Sequence, residues 1–240
     1  MATSFAFKPI VTDGLVLCLD AGNTKSYPGS GTSWLDLTSN GNNGTLVNGG
    51  SGLTFVSTNG GSIVFDGSND YIDNIGSVST FSFIQNTGIY TISAWVKPSL
   101  TSKEMYILGN NNGTTAQKGF YFGTDGVNNS ILLSITFGVI NNNTLAHVIS
   151  NCYISNTWVN VTCVGNGTNN KMYKNGVLLG TSNFSTLSSG NSSNTLSIGR
   201  INSANLWYWD GNIAQTSIYN RALSESEVLQ NYNATKNRFI

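Results

Sequence analysis

Apolar residues fall in short runs of period two, separated by clusters of Gly, Asn, Asp and Ser. Residues 90–97 (Tyr-Thr-Ile-Ser-Ala-Trp-Val-Lys) alternate and stop at Pro98, and residues 158–164 repeat the pattern from Trp158 to Val164. Shorter runs lie at 15–19, 62–65, 70–72, 105–108, 119–123, 131–135 and 195–199. Runs of this kind, bounded by turn formers, predict strands. Residues 171–179 predict a hairpin, because Asn175-Gly176 is a two-residue loop whose members both accept positive φ. Asp210-Gly211 predicts a turn. The strand after it should set Ile213, Gln215 and Ser217 against Ala214, Thr216 and Ile218. One helix is predicted, over 225–233: Ser224 is an N-cap, Glu227 stands at the capping-box spacing, and Val228, Leu229 and Tyr232 share a side. About a dozen strands at roughly 8–12-residue spacing, without a solenoid or propeller repeat, predict an all-β sandwich or barrel.

Composition narrows the function classes. Of the 240 residues, 39% are hydrophobic and 11% aromatic, enough for a sizeable core, and no linker divides the chain. The expectation is one domain over 1–240, with an N-terminal arm over 1–13. Charged residues make up 9% and the net charge is zero, which excludes an electrostatic nucleic-acid footprint and a polybasic membrane patch. No apolar run approaches the roughly 20 residues that span a bilayer. Residues 1–8 lack the basic and long apolar regions of a secretory leader, so synthesis in a cytosol is expected. The 34 Asn and 27 Gly read first as turn chemistry and second as a hydrogen-bonding surface for sugars. Three cysteines make no disulfide framework. Cys18 and Cys163 read as small hydrophobes in strands, and a Cys152–Cys163 bridge stays open.

The residues that would carry catalysis are sparse. Glycoside hydrolysis needs two carboxylates about 5–9.5 Å apart across a cleft. Of three Glu, Glu104 is isolated, and Glu225 and Glu227 belong to the helix start; the eight Asp stand mostly beside Gly or Asn. No enzyme activity is expected. The single histidine, His147, lies among Leu145, Ala146, Val148 and Ile149 and reads as a packed strand residue. Trp34, Trp95 and Trp158 read as core. In Leu206-Trp207-Tyr208-Trp209, a strand reading places Trp207 and Trp209 on one side and Tyr208 on the other; a core-only role and a side that projects at the rim are both open readings. An exposed aromatic there serves a sugar ring or a protein partner equally. The candidate carbohydrate- or partner-binding residues are Asn110, Asn111, Asn112, Asp125, Asn202, Trp207 and Tyr208.

The strand at 91–96 with its Trp, Trp158 heading 158–164, the hairpin Tyr173-Lys174-Asn175-Gly176, the run Leu196-Ser197-Ile198-Gly199-Arg200 and the C-terminal Tyr219-Asn220-Arg221-Ala222-Leu223-Ser224 occur in an order that resembles the concanavalin A-like lectin/glucanase superfamily, in its laminin G-like branch. That resemblance implies two antiparallel sheets packed as a jelly-roll sandwich, with one short C-terminal helix. Residues 13–23, 27–37 and 41–46 are similar to lectin-like domains of structural proteins in large tailed bacteriophages. This implies a non-enzymatic virion protein, in the capsid decoration or the tail fibres, made in the host cytoplasm and carried on the particle surface. Its implied partners are other virion proteins, glycans of the host surface or the environment, and further copies of itself. A purely structural subunit clamp and a cell-surface adhesion lectin are the alternatives. Laminin G-like and pentraxin relatives often bind calcium at the rim. In the pentraxin pattern the loop after 196–199 carries acids, whereas here Arg200 to Asn205 carry none, so no cofactor is expected and Asp125 and Asp210 remain as single calcium ligands.

Overall fold

The computed structural model describes residues 8–47, 53–99, 102–111, 119–126, 130–136, 144–183, 192–201 and 207–240, with backbone alone for 132–136 and 144–147. Its strands are β1 (Leu15–Asp20), β2 (Ser33–Trp34), β3 (Gly44–Val47), β4 (Thr54–Val56), β5 (Ser62–Asp66), β6 (Tyr71–Ile75), β7 (Ile89–Pro98), β8 (Glu104–Gly109), β9 (Gly119–Asp125), β10 (Ile131–Thr136), β11 (Thr144–Ile149), β12 (Val159–Asn166), β13 (Asn169–Lys174), β14 (Val177–Asn183), β15 (Leu196–Ile198) and β16 (Asp210–Tyr219). Two helices, α1 (Phe83–Thr87) and α2 (Glu225–Thr235), and two short 3-10 turns complete the described residues. The first sheet runs β14-β13-β12-β7-β16-β5-β4, with β1 also on β16; the second runs β11-β10-β9-β8-β15-β6-β3-β2. Both sheets are antiparallel.

Alternate residues of facing strands fill the space between the sheets. Ile92, Ala94 and Val96 of β7 and Val161 and Cys163 of β12 meet Ile72 and Ile75 of β6, Phe120 and Phe122 of β9 and Leu196 and Ile198 of β15. Trp34 and Trp209 are fully buried in the same core. The result is the jelly-roll sandwich that the resemblance implied, and the first of the sandwich and barrel that the strand pattern left open. The Asn175-Gly176 hairpin forms as expected, with both residues at positive φ between β13 and β14.

Four expectations change. Asp210-Gly211 makes no turn: it opens β16, pairing with Asp66 and Phe65 of β5. Gly211 has φ +129, and a Cβ there would lie 2.3 Å from the Lys97 carbonyl oxygen, so the glycine serves a close approach inside the sheet. A register shift between Ile213 and Gln215 then reverses the alternation. Ile213 and Ile218, of opposite parity, both face the core, while Ala214 packs outside it. Trp95 and Trp158 are buried, but in a cluster with Ala214 and Phe239 outside the sandwich interior. Finally, a helix of five residues, α1, had no periodicity to betray it; Gly88 ends it in the left-handed region and donates to the Ile84 carbonyl. All three cysteines are free and buried, so Cys152 and Cys163 do not pair. Burial pushes both thiols up to about 12.

The C-terminal segment closes the outer face of the first sheet. Ser224 and Glu227 form the full capping box at the start of α2. The Arg221 guanidinium, 2.6 Å from Glu227, holds that carboxyl down at about 2, aided by the Ser224 backbone amide. A carboxyl with a folded pKa below its usual 4.5 adds stability above pH 4.5 and loses it as pH falls toward 2. Glu227→Gln should therefore cost about 1 kcal/mol at neutral pH. The gap from the parent should shrink to nothing near the lower limit, as thermal melts across that range would record.

Candidate functional site

The residues that face away from the core on the second sheet form a polar and aromatic surface. Tyr71 and Asp73 alternate with Ile72 on β6, Glu104 and Tyr106 with Met105 on β8, and Tyr121 with Phe120 and Phe122 on β9. Ser197 does the same between Leu196 and Ile198 on β15. Because the sheet order is β9-β8-β15-β6, these side chains stand side by side although they are far apart in sequence.

Three aromatics cluster there. The Tyr106 ring lies 4.6 Å from Tyr121 and 5.9 Å, edge-on, from Trp207. Tyr106 is buried beneath its neighbours, while Tyr121 and Trp207 are half-buried. Tyr208 packs 6.4 Å from Tyr71, which carries the Arg200 guanidinium 3.3 Å above its ring centre. Arg200 is fixed from the other side by Asp73 at 3.0 Å, and Ser197 Oγ donates to the second Asp73 oxygen at 3.0 Å. At the far end Glu104 stands directly opposite Asp125 in the β8–β9 register. Tyr106 Oη donates to Glu104 and Ser130 Oγ donates to Asp125. Burial, then the bond to Glu104, pushes the Tyr106 hydroxyl well above its usual range, so it stays a donor. The half-buried groups of this face are the Tyr71, Tyr121 and Trp207 rings, the Asp73 and Glu104 carboxylates and the Arg200 guanidinium, while the Tyr106 and Ser197 hydroxyls lie buried and hold the two carboxylates in place.

The residues singled out from sequence meet different fates. Trp207 is half-buried on this face, Tyr208 is buried against Tyr71, and their expected alternation fails. Trp207 has φ +62, which breaks an extended run, and its carbonyl accepts from the Tyr106 amide at 3.1 Å. Trp209 then turns into the core, away from Trp207. Asp125 ends β9 beside Glu104, so Glu104 is not isolated; the pairing crosses two strands and left no local signal. Asn110 and Asn111 are buried, not displayed. Asn110 Oδ1 accepts from the Phe120 amide at 3.0 Å, which commits it to holding β9. Asn112 and Asn202 lie outside the described residues, as does the His147 side chain; the His147 backbone pairs with Leu133. Among the described residues no three of His, Cys, Asp and Glu approach closely enough for a metal. Arg200 follows Gly199 just past the end of β15, and its guanidinium, held by Asp73 at 3.0 Å, puts a fixed cation where the pentraxin pattern places acids. Sequence reasoning missed Tyr71, Asp73, Tyr106, Tyr121 and Arg200, each legible as an outward position but not as a neighbour of the others.

Solved structures share this architecture. Domain 4 of AbnA, a GH43 extracellular arabinanase from Geobacillus stearothermophilus, in complex with arabinotriose, superposes with a TM-score of 0.67 at 18% identity, over 91% of this chain and 98% of that one. The binding domain of Paraclostridial Mosquitocidal Protein 1 gives 0.65 at 21% identity, over 92% and 52%. The binding domain of botulinum neurotoxin DC in complex with SialylT gives 0.66 at 14% identity, over 93% and 52%. This chain spans about half the length of those toxin domains. Identities this low establish the fold alone. No curated protein matches the chain in sequence. Among the described residues no helix is long and apolar enough to cross a membrane. A laminin G-like family model matches residues 66–229, and the chain belongs to the family it describes, the concanavalin A-like lectin/glucanases superfamily.

Proposed function

We propose that this chain is a non-catalytic carbohydrate-binding domain and that it holds a glycan on the outer face of its second sheet. The observation that carries the reading is the aromatic group of Tyr106, Tyr121 and Trp207, flanked by Glu104 on one side and by Asp73, Ser197 and Arg200 on the other. Glycan recognition needs this combination: flat apolar faces for the ring C–H groups and a few fixed polar groups for the hydroxyls. The arabinanase domain, seen with arabinotriose and matched over nearly its whole length, supports the class of ligand. The toxin binding domain seen with SialylT supports it from a second direction.

A glycan array, followed by calorimetry on the best ligand and on arabinotriose, tests the proposal. Trp207→Ala and Tyr121→Ala should each weaken binding by about 2 kcal/mol, roughly thirtyfold, without lowering the melting temperature much. An array blank both with calcium and with chelator, or variants that bind like the parent, would overturn it. Cleavage of a polysaccharide that disappears in Glu104→Gln would overturn the non-catalytic part. The proposed setting is the surface of a bacteriophage particle, which rests on the similarity of residues 13–46. Co-purification with particles tests that setting, and capture of capsid or tail proteins by a domain that binds no glycan would favour the subunit-clamp alternative.

A further inference from the structure

A cavity of about 300 Å³ lies on the other side of the molecule, outside the first sheet. Its walls are the end of β12, the outward residues of β13 and the segment 222–227 that leads into α2. Two buried polar atoms of its lining have no hydrogen-bond partner in the protein: the Tyr173 hydroxyl and Asn169 Oδ1. Tyr173 is only 2% exposed. Each of these atoms needs a polar partner from within the cavity, and a ligand hydroxyl can supply it.

The surroundings define the ligand. Charge is already balanced: Lys171 pairs with Glu225 at 2.8 Å and Arg221 with Glu227 at 2.6 Å. The Ser224–Glu227 box meets the Glu227 amide, and the Glu225 and Glu227 carboxylates in the first turn of α2 repel an anion. Val164, Ala222 and Leu223 supply an apolar wall. Asn169 Oδ1 can only accept. The Tyr173 hydroxyl, pushed up to about 12 by burial and by Glu225, keeps its proton and can donate. Separate hydroxyls of one polyhydroxylated skeleton are the partners that two such atoms need, one donating and one accepting. The volume lies at the lower limit of small-molecule sites.

We propose that this cavity is a second ligand site for a neutral polyhydroxylated molecule the size of one sugar unit, with one ligand hydroxyl donating to Asn169 Oδ1 and another accepting from Tyr173 Oη. The site shares no residue with the outer face of the second sheet and does not depend on glycan binding there.

Backbone NMR of the ¹⁵N-labelled full chain, titrated separately with D-glucose, D-galactose, L-arabinose and inorganic phosphate, tests it. At least one sugar should shift the amides of Gly167, Lys171, Tyr173 and Ser224 saturably, and phosphate should not. Tyr173→Phe keeps the ring and removes the hydroxyl. It should weaken that response at least tenfold while leaving the free protein's melting temperature equal or higher. Trp207→Ala should leave the response unchanged. Four findings would each overturn the proposal: shifts confined to the Tyr121 and Trp207 surface, a response to phosphate instead of sugars, parent-like binding by Tyr173→Phe, or a lower melting temperature for that variant, which would mean the hydroxyl is already satisfied.

Discussion

Trp95→Ala is expected to lower stability by about 3–5 kcal/mol, the usual cost of emptying a large buried aromatic site. The indole is 1% exposed and stacks on Phe239 at 4.3 Å and on Tyr232 at 5.8 Å. Its Nε1 donates to Thr235 Oγ1 at 2.8 Å. Truncation would therefore remove a ring and also the seat of the C-terminal segment. That segment is tied down elsewhere, by Arg238 to both Asp20 oxygens at 2.8 and 2.9 Å and by the Asn231 Oδ1 bond from the Val11 amide. The loss should thus appear in two stages: easier proteolysis after Ser224 at low denaturant, and an earlier global midpoint in urea. Phe239→Ala should reproduce the first stage with a smaller second. A Trp95→Ala protein within 1 kcal/mol of the parent would mean that the outer cluster adds little to the sandwich.

The strands of the sandwich, the hairpin at Asn175-Gly176 and the capping box at Ser224 were legible because each signal is local: a period of two, a dipeptide with positive φ, a side chain reaching its own helix. The segments that were missed lacked such signals. β2, β3 and β4 have two to four residues, too few for a period, and exist because neighbours supply their hydrogen bonds. Reversal of facing within β16 depends on a bulge set by β7. The positive φ of Trp207 lies at a residue type that seldom adopts it, so the alternation drawn through residues 206–209 had no warning.

The site was only partly legible for a related reason. Which residues point outward follows from alternation, but which strands are neighbours follows from topology. Asn110 and Asn111, in a polar Asn- and Gly-rich stretch, look like surface groups, yet both are buried and both amides donate to the Phe120 carbonyl of β9. The segment around Asp36 illustrates the reverse. Asp36 accepts from the amides of Cys18, Thr38 and Asn42, each at 3.0 Å, and Asn43 Oδ1 accepts from the Asp36 amide at 2.8 Å. Those residues clasp β1 to the segment before β3, so their pattern reports how the fold closes as much as where the protein serves.

Arg200→Ala is the other change with a large expected effect, and it tests the fold and the proposed site together. The guanidinium is 13% exposed and Asp73 18%, so the pair is mostly withdrawn from water. Removing one partner of such a pair leaves the other charge inside with fewer donors, at a cost of about 3 kcal/mol. Asp73 would retain Ser197 Oγ, and Tyr71 would lose the cation stacked on its ring. Arg200→Lys should not rescue, because an ammonium cannot lie flat on Tyr71 while reaching Asp73. The double variant Arg200→Gln with Asp73→Asn should be less destabilised than the sum of its single changes, since neither charge is then left alone. Glycan affinity separates positioning from mere stability. At a temperature where every variant is folded, Arg200→Ala should lose binding roughly tenfold or more, because Tyr71, and Tyr208 beside it, lose their support, and the stabilised double variant should not regain it. Restored binding in the double variant would show that Arg200 serves the fold alone and that the glycan is held by the Tyr106, Tyr121 and Trp207 end of the sheet.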